Sequence, residues 1–102
     1  MTFEWDETKN QTNLKKHGIS FEEASVIFQG QFLSKKDDRF DYGEERIVSI
    51  GEFIDGIVFV VVHTKRKNKT RIISARMASS KERMFYYEYI TKKTQKDKKN
   101  QR

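Results

Sequence analysis

"GIVFVVVHTKRKNKTRIISARM" (residues 56–77) joins a strongly apolar stretch directly to a strongly basic one. Residues 57–62 are apolar at every position, which predicts a central strand, within residues 57–64, that is covered on both faces. Residues 71–77 predict the next strand. Residues 65–69 predict a turn, in which Asn68 is a residue type that tolerates the left-handed conformation. The segment therefore predicts a β-hairpin at the centre of a sheet, with concentrated positive charge where it emerges.

The flanking sequence predicts the rest of an α+β fold. Strands are predicted at residues 3–5, 32–36 and 45–53, and Asp55-Gly56 is a hairpin turn signal. Asp6 predicts the start of a helix that ends at Gly18, and "SFEE" (20–23) is a capping box for a second helix that ends at Gly30. "SSKE" (79–82) is another capping box, opening a helix predicted to end at Ile90. We expect an antiparallel meander with two N-terminal helices and one C-terminal helix packed on it.

Composition limits the possible classes of protein. The chain has 102 residues, which is enough for one domain, and it has no cysteine. No metal-binding, cofactor-binding or nucleophile motif is present, so we expect no metal and no cofactor. No apolar run is long enough to span a bilayer, and the N-terminus does not resemble a signal peptide, so we expect a cytoplasmic protein with no membrane partner. We predict one domain over residues 1–90 and a basic, disordered tail over residues 91–102.

The charge is polarised along the chain. Residues 1–62 carry seven basic and twelve acidic side chains, whereas residues 63–83 carry eight basic and one acidic. Such polarisation concentrates the field at one place, which favours a site for an anionic partner such as RNA. A patch this basic also repels itself, and we therefore expect it to be covered by RNA or by an acidic segment of a partner protein.

Strand alternation predicts how this basic patch is arranged. Arg71, Ile73 and Ala75 are expected on one face of their strand, and Ile72, Ser74 and Arg76 on the other. The hairpin is expected to bring a candidate catalytic group together near one end of the sheet: His63, Arg66, Arg71 and Arg76, with Arg83 and Tyr86 from the last helix. Candidate RNA-binding residues flank them: Lys65, Lys67, Lys69 and Lys81. His17, in the last turn of its helix, is interpreted as a stabiliser of the helix C-terminus.

These residue types are sufficient for RNA cleavage without a metal ion. Arginine pairs with phosphate at two points and can stabilise the charge that develops on it, while histidine or tyrosine can move protons. The aromatic residues Tyr86, Tyr87 and Tyr89 predict either core packing or base stacking. Two hypotheses of different class follow: an endoribonuclease that works by transesterification, and a non-catalytic module that binds nucleic acid or protein through the same patch.

Several blocks of the chain resemble the BrnT family of bacterial toxins. They are "FEWDETKNQTNLKKHGISFEEA" (3–24), "EER" (44–46), "SIG" (49–51), "VVHTKR" (61–66), "RIISARMA" (71–78) and "ERMFY" (82–86). The resemblance covers nearly all of residues 3–90 and implies a small ribonuclease toxin with a fold similar to RelE toxins. By position, Arg66, Arg71, Arg76, Arg83 and Glu82 match the family pattern, as does either Tyr86 or Tyr87.

The resemblance also implies partners. It implies an RNA substrate and a BrnA-type antitoxin with a ribbon-helix-helix domain, in a hetero-oligomer with two copies of each chain. That complex would repress its own operon and would contact DNA only through the antitoxin. A catalytically inactive homologue kept as a repressor subunit is a third possibility that the sequence leaves open.

Overall fold

The structure is a computed structural model that describes residues 1–39 and 41–100, with the backbone alone for residues 94–100. Its elements are β1 (Phe3–Trp5), α1 (Glu7–His17), α2 (Phe21–Ser25), a 3₁₀ helix (Val26–Gln29), β2 (Phe32–Asp37), β3 (Arg46–Ile54), β4 (Ile57–Arg66), β5 (Lys69–Met77) and α3 (Ser80–Asn100). The sheet order is β1-β5-β4-β3-β2, antiparallel throughout except for the parallel β1–β5 pair. The predicted α+β fold is confirmed, with the second helix split into α2 and the 3₁₀ helix.

Both N-terminal helices begin at the predicted caps. Asp6 accepts a hydrogen bond from the Lys9 N–H at 3.0 Å, and Gly18 ends α1 in the left-handed conformation at φ 71°. Ser20 and Glu23 form a reciprocal capping box, with bonds of 2.9 and 3.0 Å between each side chain and the other's backbone N–H. Local sequence therefore fixes where each helix starts.

The two hairpin turns differ in how well they were predicted. Asp55 and Gly56 form the β3–β4 turn with φ values of 40° and 82°, as the Asp-Gly signal predicts. In the β4–β5 turn, the residue with a positive φ is Lys67, at 55°, and not Asn68, which is the residue type that tolerates this conformation better. The turn is two residues long because Arg66 pairs with Lys69.

The helix-covered face of the sheet carries Phe59, Val61, Ile72 and Ala75, all almost completely buried against Phe21, Ala24 and Ile27. Asn13 of α1 fastens the helix layer to β5. Its Nδ2 donates to the carbonyls of Ala75 at 2.9 Å and Ile19 at 3.0 Å, and its Oδ1 accepts from the Ala75 N–H at 3.1 Å. Asn13 thus continues the hydrogen bonding of β5 where β1 has ended.

A β-bulge in β5 changes the predicted arrangement of its side chains. Val62 pairs with Ser74 but His63 pairs with Ile72, so Ile73 is the extra residue. Ile72 and Ala75 consequently both reach the core. Arg71 and Arg76 both lie on the opposite face, and the prediction that they lie on different faces was wrong. We call this opposite face, which carries Val48, Val60, Val62 and Ser74, the cleft face.

The last helix is longer than predicted. It continues past Ile90 to Asn100, so the predicted helix end was wrong, and residues 101–102 lie outside the described residues. Helical backbone alone does not show that residues 91–100 pack on the domain, and their independence from it stays a prediction. No helix in the described part of the chain is long and apolar enough to cross a membrane.

Candidate active site

A cleft of about 280 Å³ lies on the cleft face of the sheet. Its floor consists of Val48, Val60, Val62 and Ser74 from three adjacent strands. Charged and polar side chains from five separate segments form its walls: His17, Lys35, Lys36, Asp37, Asp38, Arg39, Arg76 and Glu82. Histidine, lysine and arginine side chains that are distant in sequence therefore line one cavity, together with acidic side chains.

Arg76 is held by Glu82, the first acidic residue of α3. The guanidinium donates to both carboxylate oxygens, at 2.8 and 2.9 Å, and to the Met77 carbonyl at 3.2 Å. Glu82 also accepts from the Ser79 N–H at 2.9 Å, while Ser79 Oγ accepts from the Glu82 N–H, which confirms the predicted capping box. The bond from Arg76 is the main reason that the pKa of Glu82 is lowered to about 2. One carboxylate thus both caps α3 and orients the cleft arginine.

A second fixed ion pair lies at the other wall. Asp37 is buried, and Arg39 donates to its two oxygens at 2.8 and 2.9 Å, with Tyr42 Oη donating at 3.3 Å. These bonds, above all that from Arg39, lower the pKa of Asp37 to about 2. The charge of Arg39 also acts on Arg76, opposing the rise that Glu82 causes in the pKa of Arg76. Both guanidinium groups therefore contribute to the electrostatic potential of the cleft that they line.

The other predicted arginines lie outside this cleft. Arg71 Nη1 is 2.7 Å from Glu4, and Arg66 Nη2 is 3.4 Å from Glu44. Together with the Arg76–Glu82 pair, these contacts show that carboxylates of the chain itself balance the hairpin arginines. The expectation that only RNA or an acidic partner balances this charge was therefore wrong for these three arginines. The hairpin lysines Lys65, Lys67 and Lys69 are exposed, and none of them lines the cleft.

His63 lies on the helix-covered face, away from Arg71 and Arg76. Its Nε2 shares a 2.7 Å hydrogen bond with Ser49 Oγ, and its ring meets the Phe28 ring edge-on at 5.0 Å. Burial lowers the pKa of His63, which favours its neutral form. The expectation that the hairpin brings His63 beside these arginines was therefore wrong, because the bulge and the strand alternation place them on opposite faces.

The predicted residues of α3 have separate positions. Tyr86 is buried and donates to the Gln31 carbonyl at 2.7 Å, which anchors α3 to the segment before β2. Tyr87 donates to Glu52, and this bond raises the pKa of Tyr87 to about 12. Arg83 is exposed and does not line the cleft, so Glu82 occupies the place that Arg83 was expected to fill. Lys81 lines a neighbouring cavity.

Sequence reasoning missed His17, Lys35, Lys36 and Arg39 as cleft residues. Asn13 fixes α1 against β5. This contact places His17, the last residue of α1, at the cavity that holds Arg76. Lys35 reaches it because β2, β3, β4 and β5 align Lys35, Val48, Val62 and Ser74 in one row across the sheet. Both placements depend on tertiary pairing. Among the described residues, no group of three or more acidic or histidine side chains is arranged to hold a metal ion.

Comparison with known proteins gives a consistent result. The family model described as "Ribonuclease toxin, BrnT, of type II toxin-antitoxin system" matches residues 5–82. The crystal structure of the Brucella abortus ribonuclease toxin BrnT is 31% identical in sequence, with a TM-score of 0.59, covering 78% of this chain and 99% of that one. No curated protein sequence gave a significant match. The family model covers most of the chain and the crystal structure has the same fold, so this chain belongs to the BrnT family of ribonuclease toxins of type II toxin–antitoxin systems.

Proposed function

We propose that this chain is an endoribonuclease that cleaves RNA in the cleft by transesterification without a metal ion. The convergence of Arg76, Arg39 and His17 on one cavity of a ribonuclease-toxin fold carries the proposal. In this reaction the ribose 2′-oxygen attacks the adjacent phosphorus and loses its proton to a base. The bond to the 5′-oxygen breaks, and an acid protonates that oxygen, leaving a cyclic phosphate and a 5′-hydroxyl.

Arg76 is the residue we assign to the phosphate. It lies in the cleft with its guanidinium oriented by Glu82, so little conformational entropy is lost when a phosphate binds. Arg39 and Lys35 face the same cavity and add positive charge where the phosphate gains negative charge. We assign proton transfer to His17, because it lines the cleft and an imidazole side chain can act as a general base or a general acid.

The matched pair Arg76→Ala and Arg71→Ala tests this assignment. Both arginines lie on the same strand and the same face, and each is paired with a carboxylate at 2.7 or 2.8 Å, but only Arg76 lines the cleft. Purified variants are incubated with single-stranded RNA in EDTA. We expect about a hundredfold slower cleavage for Arg76→Ala, because loss of a group that stabilises transition-state charge costs about 3 kcal/mol. Arg71→Ala should stay within about tenfold of the parent chain.

The same cleavage assay can also contradict the proposal. An equal loss of cleavage rate in both variants would indicate general damage to the sheet. An unchanged rate in both would show that the cleft is not the active site. Cleavage that appears only after Mg²⁺ is restored would contradict metal independence. RNA that is retained but never cut would favour the non-catalytic binding module or an inactive homologue.

We further propose a BrnA-type ribbon-helix-helix antitoxin as the partner, in a complex with two copies of each chain that represses its own operon in the cytoplasm. Family membership supports an antitoxin of some kind. The exposed lysines of the β4–β5 hairpin favour an acidic antitoxin segment, since charge complementarity speeds encounter. Association should slow as salt rises, while dissociation changes little. Co-purification with the product of the neighbouring gene, followed by mass measurement of the complex, tests the partner and the stoichiometry.

A further inference from the structure

A second cavity, of about 560 Å³, lies between α3 and the cleft face. Its walls are mainly apolar. Phe85 and Tyr89 form the helix side, and Leu33, Ile50 and Val60 form the sheet side. Glu82, Phe85 and Tyr89 follow one another at three- and four-residue steps, so they form one stripe along α3. Phe85 is 62% exposed and Tyr89 48%, so these two rings face solvent although they border an apolar surface.

This pocket adjoins the cleft. Lys35, Val48, Val60 and Glu82 line both cavities. Phe85 follows Glu82, the partner of Arg76, by about one helical turn, or roughly 4.5 Å along the axis. A molecule with a phosphate at Arg76 would therefore extend its next group into the space beside Phe85.

The charges around the pocket favour an anionic chain. Lys35 and Lys81 line it, and within the described residues neither lysine makes an ion pair, in contrast to Arg66, Arg71 and Arg76. Glu82 is the one carboxylate in its lining, and both of its oxygens accept hydrogen bonds from Arg76. Both ammonium groups are thus available to contact phosphates of a chain that has another phosphate at Arg76.

We propose that this pocket holds an unpaired base of single-stranded RNA, stacked on Phe85 and bordered by Tyr89, beside the phosphate at Arg76. The inference rests on the proposed function and specifies its substrate: the base must be unstacked and free of a complementary strand to enter. Most of the lining is apolar, so stacking dominates and the pocket accepts all four bases with less than about tenfold difference in affinity.

An apolar antitoxin segment is the competing occupant. It would bury the same aromatic rings, and acidic residues beside it would account for Lys35 and Lys81. It would give no reason, however, for the pocket to share lining residues with the cleft that holds Arg76. The two occupants also differ in what they require at position 85. A stacked base requires a flat ring, whereas a packed protein side chain requires apolar volume.

Three variants separate these requirements: Phe85→Ala, Phe85→Leu and the control Met84→Ala. Met84 is the adjacent residue on α3, is 70% exposed and does not line the pocket. The probe is a fluorescein-labelled single-stranded oligonucleotide with 2′-fluoro groups, which cannot be cut by this reaction, and its affinity is measured by anisotropy. We expect Phe85→Ala and Phe85→Leu each to weaken binding about tenfold, and Met84→Ala to leave it unchanged. The fully paired duplex of the same probe should bind at least about tenfold more weakly than the single strand.

Each result that differs from these expectations would overturn one part of the proposal. Normal affinity in Phe85→Leu would show that volume suffices and overturn the stacking model. Probe affinity unchanged in Phe85→Ala, with cleavage still dependent on Arg76, would remove the base pocket and leave the proposed ribonuclease intact. Loss of antitoxin affinity alone would assign the pocket to the antitoxin. A parent chain that binds the probe through Phe85 but cuts no RNA would overturn the proposed function and keep the pocket.

Discussion

The two faces of the sheet differ in how deeply their side chains are buried and in how much charge they carry. On the helix-covered face, Phe21, Ala24, Ile27 and Val61 are fully buried, and polar groups such as Asn13 have their hydrogen bonds completed by the backbone. On the cleft face, the apolar floor is small and the surrounding charges form partly exposed ion pairs. Burial therefore determines stability on the first face, whereas charge and access determine function on the second.

The contrast is sharpest for His63 and Arg76, which lie on neighbouring strands. His63 is surrounded by Phe28 and Ser49 in the core, and its pKa is lowered by burial. Arg76 keeps 47% of its side-chain surface exposed. A residue type suited to catalysis is thus not sufficient to make a site; its face of the sheet decides whether RNA can reach it.

The largest change in stability is expected for Asn13→Ala on the helix-covered face. The substitution leaves the Ala75 N–H and the Ala75 and Ile19 carbonyls without their partner. Each buried group left unsatisfied costs about 1–3 kcal/mol, so the free energy of unfolding should fall by about 3 kcal/mol or more in urea titrations. Ser74→Ala, next to Ala75 but on the cleft face, should change it by less than about 0.5 kcal/mol. Equal effects at the two positions would contradict the division between the faces.

Gly51→Ala should have the next largest effect on stability. An added Cβ at position 51 would lie 2.9 Å from the Ile27 Cβ and 3.2 Å from the Phe32 Cβ, so the 3₁₀ helix must move away from β3. Overpacking of this kind costs about 1–3 kcal/mol. Gly30→Ala is the matched control, because its Cβ would have nothing within 4 Å. A thermal melt of both variants checks the prediction, and a lower midpoint for Gly30→Ala than for Gly51→Ala would show that this close approach is unimportant.

Substitution of His63 is expected to have a smaller effect on the free energy of unfolding, and this effect should depend on pH. Burial holds its pKa in the folded protein below the ordinary 6.5. As the pH falls below about 6.5, His63 becomes protonated in the unfolded chain but stays neutral in the folded chain. The free energy of unfolding therefore decreases until the folded-state pKa is reached. His63→Gln keeps a polar group beside Ser49 but cannot ionise. It should therefore lose less stability than the parent chain between pH 7.5 and 5.5.

The same variant tests the position of His63 relative to the site. Because His63 faces the core, His63→Gln should cleave RNA at a rate within about threefold of the parent chain at pH 7.5, once equal folded protein is used. An unchanged pH dependence of stability would show that His63 is not the buried titrating group. A hundredfold loss of cleavage would return His63 to the catalytic set.

How far the sequence predicts the molecule depends on whether its signals are local. Asp6, the Ser20–Glu23 box and Asp55-Gly56 act through neighbours in the chain, and each was placed correctly. The bulge at Ile73 carries no local signal, yet it decides that Arg71 and Arg76 share a face. The same holds for His17 and Lys35, which reach the cleft only through contacts between distant segments. The fold class and the candidate role of Arg76 could thus be predicted, whereas the other basic residues of the cleft could not.

The smallest change in stability is expected for deletion of residues 91–102. Residues 91–93 are exposed, and Lys92 contacts Glu88 of the same helix at 3.2 Å, with both side chains largely in solvent. Exposed pairs at this spacing contribute about 0.3–0.5 kcal/mol. Deletion of residues 91–102 should therefore lower the melting temperature by a few °C at most.

The deletion should act on RNA binding more than on stability. Residues 91–102 carry six basic side chains and one acidic, so their removal should weaken binding of any RNA at low salt and make the affinity less dependent on salt. Cleavage at saturating RNA should not change, because residues 91–93, the part of this segment whose side chains are described, line neither the cleft nor the second cavity. The test is a melt together with anisotropy titrations over a range of salt concentrations. A fall of more than about 10 °C would show that the segment is docked on the domain, since only the loss of buried contacts could account for it.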